Sequence, residues 1–178
     1  GYQLDRQDLL AFVKNANAEI AARHAAFFRR LPRMVLYGRM VVAASAVRDP
    51  QLERVCREYL PLTFSRRHGD PSRPWNKFSI TTRNADGKRS LNYEGNWRDI
   101  FQNWEALALS FPGYTAGMIC RFLNASTADG YNPYRVFRDG FDWEIQEPHN
   151  HWANIGYWGD HQIIYSLKLL ELSKEFNP

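Results

Sequence analysis

Three stretches of the chain gather acids, amides, arginines and aromatic rings into short windows: "RRHGDPSRPWN" (residues 66–76), "YEGNWRD" (93–99) and "GFDWEIQEPHNHWANIGYWGDHQ" (140–162). Indole and phenol faces can stack on a weakly apolar ring, while Asp, Glu, Asn, Arg and His around it hydrogen-bond hydroxyls in fixed directions. That combination suits a neutral polyol, a sugar above all. A single-stranded nucleic acid asks instead for Lys and Arg interleaved with aromatics and few acids. Here Asp142, Glu144, Glu147 and Asp160 stand among the tryptophans.

Carboxyl groups beside a sugar also invite acid chemistry. Cleaving a glycosidic bond takes a carboxylic acid of raised pKa to protonate the leaving oxygen, and a second group across the ring. Asp142 and Glu144 are flanked by Phe141, Trp143 and Ile145, surroundings that can desolvate a carboxyl and keep its proton on. The competing reading is an ion pair with Arg135 or Arg138. His149, His151 and His161 show no recognised metal-site spacing and suit hydrogen bonding better, so no metal is expected. No Gly-x-Ser-x-Gly turn supports a serine nucleophile.

The elements that must position these groups are mainly helices. Asp5 can cap a first helix carrying Leu9, Phe12, Val13, Ala16 and Ile20, which should stop or kink at Pro32. The apolar run Met34 to Val47 predicts a second, and Asp49-Pro50 opens a third that Pro61 ends. Residues 62–95 read as a loop and β-ribbon insertion, with a small β-hairpin near 78–93 turning at Asn84-Ala85-Asp86-Gly87. Asn96 can cap a helix whose stripe is Trp97, Ile100, Phe101, Trp104, Leu107 and Ala108. A short helix from Thr115 to Leu123 precedes a long site-forming loop, 124–159, with little secondary structure of its own. Asp160 then caps a final helix carrying Ile163, Ile164, Leu167, Leu170 and Leu172. The fold class is all-α, built of antiparallel helical hairpins whose loops can gather at one rim.

Length and composition bound the rest. The 178 residues suffice for one domain with a real core. No apolar run approaches the ~20 residues of a membrane span, and residues 1–30 are interrupted by charges, unlike a signal peptide. A soluble, cytoplasmic chain without membrane contact is expected. Cys56 and Cys120 read as buried free thiols. The net charge of +4 comes from 18 Arg and 5 Lys. Arg is the residue of forked carboxylate pairs and aromatic stacking, so this bias fits internal pairing as well as it fits a polyanion.

The order "GNWRDIFQNWEALA", "DGYNPYR", "GFDWE", "GYWGDHQIIYSLKLLE" resembles that of the six-hairpin glycosidase superfamily, the helical-toroid enzymes that include cellobiose and chitobiose phosphorylases, glycogen-debranching glucosidases and trehalase-like enzymes. The resemblance spans roughly residues 92–172 and is one of motif order. It implies part of an (α/α)6 toroid, about half of it, and so a fragment of a larger carbohydrate-active polypeptide. It implies an oligosaccharide or other glycoside as ligand, cleaved by hydrolysis or phosphorolysis, with no cofactor beyond inorganic phosphate as a co-substrate. Arg98 and Asp99 would hold sugar hydroxyls. Asp142 would be the general acid with Glu144 as its competitor. Glu94, Trp97, Trp75, Asn76, Trp143, Trp152, Trp158, Asp160, His161 and Gln162 would bind or wall the substrate. The alternatives are a non-catalytic carbohydrate-binding or scaffolding helical domain and, behind both, an Arg-rich nucleic-acid binder.

Overall fold

The computed structural model describes residues 2–63, 83–88, 90–143, 157–158 and 162–176. Helices dominate them, with small antiparallel sheets between. A ribbon comes first: β1 (Gln3–Asp5) pairs with β2 (Met34–Leu36), bringing the buried Leu4 opposite the buried Val35. The helix expected from Met34 therefore begins only at Tyr37, because a short apolar run serves a strand as readily as a helix.

Between the two strands lie α1 (Arg6–Ala16), α2 (Ala18–Arg23) and α3 (Ala25–Arg30), where the sequence predicts one helix. Asp5 caps α1 as expected, accepting from the Gln7 N–H at 2.6 Å, and Leu9, Phe12 and Val13 enter the core. Asn17 makes the first break. Its backbone is extended, its N–H closes α1 onto the Val13 carbonyl, and its side-chain oxygen caps α2 through the Ile20 N–H at 3.0 Å. An Asn side chain offers the backbone a local partner in place of the helix ladder. The second break is at His24, whose Nε2 lies 2.8 Å from Asp49. Asp49 in turn caps α5 (Pro50–Glu58), after Arg48 at φ +60° has closed α4 (Tyr37–Ala46). The His24 hydrogen bond, chiefly, holds the Asp49 carboxyl down at about 2.

The second half runs β3 (Glu94–Gly95), α6 (Trp97–Ser110), a 3-10 turn at Pro112–Tyr114, α7 (Thr115–Asn124), β4 (Tyr131–Asn132), β5 (Arg135–Phe137), β6 (Gly140–Asp142), β7 (Tyr157–Trp158) and α8 (Gln162–Phe176). Asn96 caps α6 as expected, and Trp97, Ile100, Phe101, Trp104 and Ala108 are buried along one stripe. The stretch 124–159, read as a loop, holds β4 to β7; strands of two or three residues leave no alternation to detect. β3, β5 and β6 form one antiparallel sheet in that order, and β4 pairs with β7. Of the hairpin expected near 78–93, the described part is its turn: Asn84 bonds Lys88 through backbone and side chain, and Gly87 takes φ +74°. Residues 78–82 and 89 lie outside the described residues.

In α8 the inward side chains are Ser166 and Leu169, while Ile163, Ile164, Leu167 and Leu170 are 48–59% exposed. A helix whose apolar residues are spread around its circumference does not reveal which face it buries. Among the described residues, no helix is long and apolar enough to cross a membrane.

Among the described glycines, the closest backbone approach joins α5 to α7. A Cβ on Gly117 would lie 2.1 Å from the Arg57 carbonyl oxygen, which also accepts a 2.9 Å hydrogen bond from the Tyr37 hydroxyl. Backbone cannot yield as a side-chain tip can. Gly117→Ala is therefore expected to destabilise the chain by about 1–3 kcal/mol, as overpacking does. The shift in urea midpoint measures it, with Ala116→Gly as the control for helix propensity.

Candidate functional site

At the start of α6 the neighbours Arg98 and Asp99 part company. Arg98 is exposed, whereas Asp99 is buried and packs back over β3, its Cβ 3.2 Å from where a Gly95 side chain would begin. Trp97 is fully buried, its ring 5.0–6.5 Å from those of Phe101, Trp104, Phe122 and Phe141. The structure places that indole in the core.

Two of the three sequence clusters do meet, and Arg135 joins them. Arg135 and Asp142 are direct partners across β5 and β6. The guanidinium forks onto Asp142 through Nε and Nη2, both donating to Oδ2, while Nη1 donates to Glu94 of β3 at 2.9 Å. One arginine thus clamps all three strands. Beside the clamp, Trp143 is 42% exposed and lies parallel to Tyr131 at 6.2 Å between centroids. An exposed indole face is a surface that can receive a sugar ring. Glu144, Trp75, Asn76, Trp152, Asp160 and His161 lie outside the described residues. Trp158 pairs through its backbone with Tyr131, and Gln162 opens α8.

Because the groups of the clamp are about one-third exposed or less, their pair energy is modest. A double-mutant cycle of Arg135→Ala and Asp142→Ala is expected to return a coupling of about 0.5–1 kcal/mol in urea unfolding. A cross-strand brace gives that value; a coupling near zero would dissolve it.

Sequence reasoning passed over two buried charges, Glu58 and Arg121. Glu58 ends α5 among Leu52, Val55 and Cys56, and Arg121 sits between Met118 and Phe122 on α7. Their places on otherwise apolar helix faces were the available signal. The Asn124 amide donates to the Glu58 carboxyl, and Arg54 Nε stands 3.6 Å from it. Burial pushes the Glu58 carboxyl above its ordinary range, against the opposing pull of Arg121, the Asn124 hydrogen bond and Arg54. A carboxyl whose pKa is raised by folding favours the native state at low pH and costs stability as pH climbs through the raised value. Glu58→Gln is accordingly expected to melt higher than the parent at pH 7, and the gap should close as pH falls to about 4, where the unfolded carboxyl is itself becoming protonated.

Residues 1–61 match the family model for glycoside hydrolase family 149 insertion domain 1. In the structure that segment is the β1–β2 ribbon with α1 to α5. The match covers 61 of 178 residues, and it is a likeness of this part of the chain to that insertion domain. No curated protein matches the chain.

Proposed function

We propose that the chain is a helical part of a carbohydrate-active enzyme that cleaves a glycosidic bond. The match of residues 1–61 to a glycoside hydrolase insertion domain carries this reading. The clamp of Glu94, Arg135 and Asp142 beside the open Trp143 supports it, since together they offer a ring face and hydroxyl partners. Both bonds of the Arg135 fork fall on Oδ2, which leaves Asp142 Oδ1 to accept a sugar hydroxyl. The proton donor in this proposal is Asp142, with Glu144 as its competitor. The helical-toroid expectation, the choice between hydrolysis and phosphorolysis, and Arg98 with Asp99 as sugar-holding groups belong to this proposal as well. The partner it requires is the rest of a longer polypeptide.

A second reading keeps the carbohydrate and drops the chemistry. The matched model describes an insertion domain, which favours a part of the enzyme outside its catalytic centre. Titrating the 178-residue chain with a panel of neutral oligosaccharides, followed by tryptophan fluorescence, tests what both readings share. A saturable change that Trp143→Ala weakens at least tenfold is expected, with no sugar released whether or not inorganic phosphate is added. Tight, salt-sensitive binding of RNA in place of sugar would move the chain to the nucleic-acid class. Within the longer polypeptide, Asp142→Asn and Glu144→Gln separate the two readings: loss of turnover in either makes this chain catalytic, and a kcat within a few-fold of the parent in both makes it accessory.

A further inference from the structure

An aspartate followed by glycine can rearrange its own backbone, because the glycine amide nitrogen carries no flanking side chain to keep it from the aspartyl carboxyl. The sequence holds three such pairs: Asp86-Gly87, Asp129-Gly130 and Asp139-Gly140. The structure sets each aspartate in a turn but treats the three carboxyl groups differently.

Asp129 accepts from the Thr127 hydroxyl, and that hydrogen bond, chiefly, holds its carboxyl below the ordinary range. The same threonine accepts the Gly130 N–H at its carbonyl and the Tyr131 N–H at its Oγ1, each at 2.9 Å, so the turn is tied to one residue. Asp139 is restrained on both sides. Arg138 Nε stands 3.0 Å from its Oδ1, the Asn15 amide donates to its carbonyl at 2.5 Å, and Gly140 has already entered β6 opposite Phe137. Asp86 has none of this. Its carboxyl makes no hydrogen bond or ion pair among the described residues, and residues 83–88 are all exposed. Its turn is closed at the surface, by the Gly87 N–H on the Asn84 carbonyl at 3.0 Å and the Lys88 N–H on Asn84 Oδ1 at 2.9 Å, where water replaces a broken bond at little cost.

We propose that Asp86-Gly87 is a site of spontaneous isoaspartate formation and that it converts faster than the other two pairs in the folded chain. The Gly87 nitrogen attacks Asp86 Cγ and a C–N bond forms; the amide proton and the carboxyl hydroxyl leave as water, closing a succinimide ring. Water then adds to one of the two ring carbonyls. Opening at the side-chain carbonyl restores aspartate, and opening at the main-chain carbonyl carries the backbone through Cβ and Cγ of residue 86. No oxidant or other reactant enters and the charge is unchanged, but the chain gains one methylene between Ala85 and Gly87. Attack needs Cγ to swing freely onto the nitrogen, and it needs the carboxyl protonated so that its oxygen can depart as water. A carboxyl held ionised by a hydroxyl meets the second condition less often, which sets Asp129 behind Asp86. One whose side chain and peptide are both held, as at Asp139, fails the first. Gly87 and Gly130 both take positive φ, +74° and +89°, so the glycines themselves do not decide the order between their pairs.

Ageing the 178-residue chain at neutral pH, in buffer and in urea, and mapping isoaspartate in its peptides by electron-transfer fragmentation tests the proposal. In the folded chain, isoaspartate at residue 86 is expected to exceed that at 129 and at 139 at least fivefold. In urea the three sites should converge, because unfolding removes what separates them. Thr127→Val should raise conversion at Asp129 at least threefold by freeing its carboxyl. Asp86→Ser should abolish the signal from its own peptide; a signal that survives there belongs to Asn84 and would overturn the assignment. Equal conversion at the three sites in the folded chain, a faster reaction at Asp129 or Asp139, or a Thr127→Val chain that ages like the parent would overturn it as well.

Discussion

The last turn of α5 must lie against α7 with almost no space between backbones, and Gly117 is the residue that permits it. The Arg57 carbonyl is one of the unpaired acceptors that any helix leaves at its C-terminal end. Here the Tyr37 hydroxyl satisfies it and the bare face of Gly117 covers it. Three helices are fixed together at one oxygen atom. From Gly117, Arg121 follows one turn along α7 and Asn124 nearly another, so the same approach presents both to Glu58. The setting of the buried Glu58 carboxyl is inherited from that contact.

Arginine then ties the β elements to this helical frame. Arg138 donates to Asp8 at 2.9 Å and to the Leu91 carbonyl at 3.2 Å, linking α1 to the turn after β5 and to the segment before β3. The Tyr59 hydroxyl donates to the same aspartate; burial, and after it that carboxylate, push the phenol well above its usual range, so it remains a donor at any working pH. Arg135 likewise spans partners on two other strands, Glu94 of β3 and Asp142 of β6. A lysine, with one charged point on a flexible stem, could not bridge such pairs in fixed directions. This internal use gives the composition of 18 Arg to 5 Lys a structural meaning apart from net charge.

Legibility in the sequence followed the length of the elements. Asp49 with Pro50, and Asn96 with its apolar stripe, announced α5 and α6 because a cap and several turns of periodicity agree there. Strands of two or three residues carried no period, and the break at Asn17 was hidden inside a pattern that continues to Ile20 on the far side. For the candidate site, the chemistry of Arg135 and Asp142 was visible as one of two options, but the choice between acid and ion pair depended on a cross-strand register that residue spacing alone does not set. Glu58 and Arg121 escaped notice for the opposite reason. They lie in well-read helices, where a charged residue on an apolar face passes for a solvated exception unless its neighbours in space are known.

Asn17 closes one helix with its backbone and starts the next with its side chain, so α1 and α2 are separated by a single residue that is itself hydrogen-bonded on both sides. A protease needs several residues of free, extended chain to fit its cleft, and a one-residue corner does not supply them. Cutting there requires the ends of both helices to unravel together, because the loss of this one residue's bonds uncaps each of them. The junction at Asn17 is thus sealed against cleavage in a way that a longer and more pliable connector would not be.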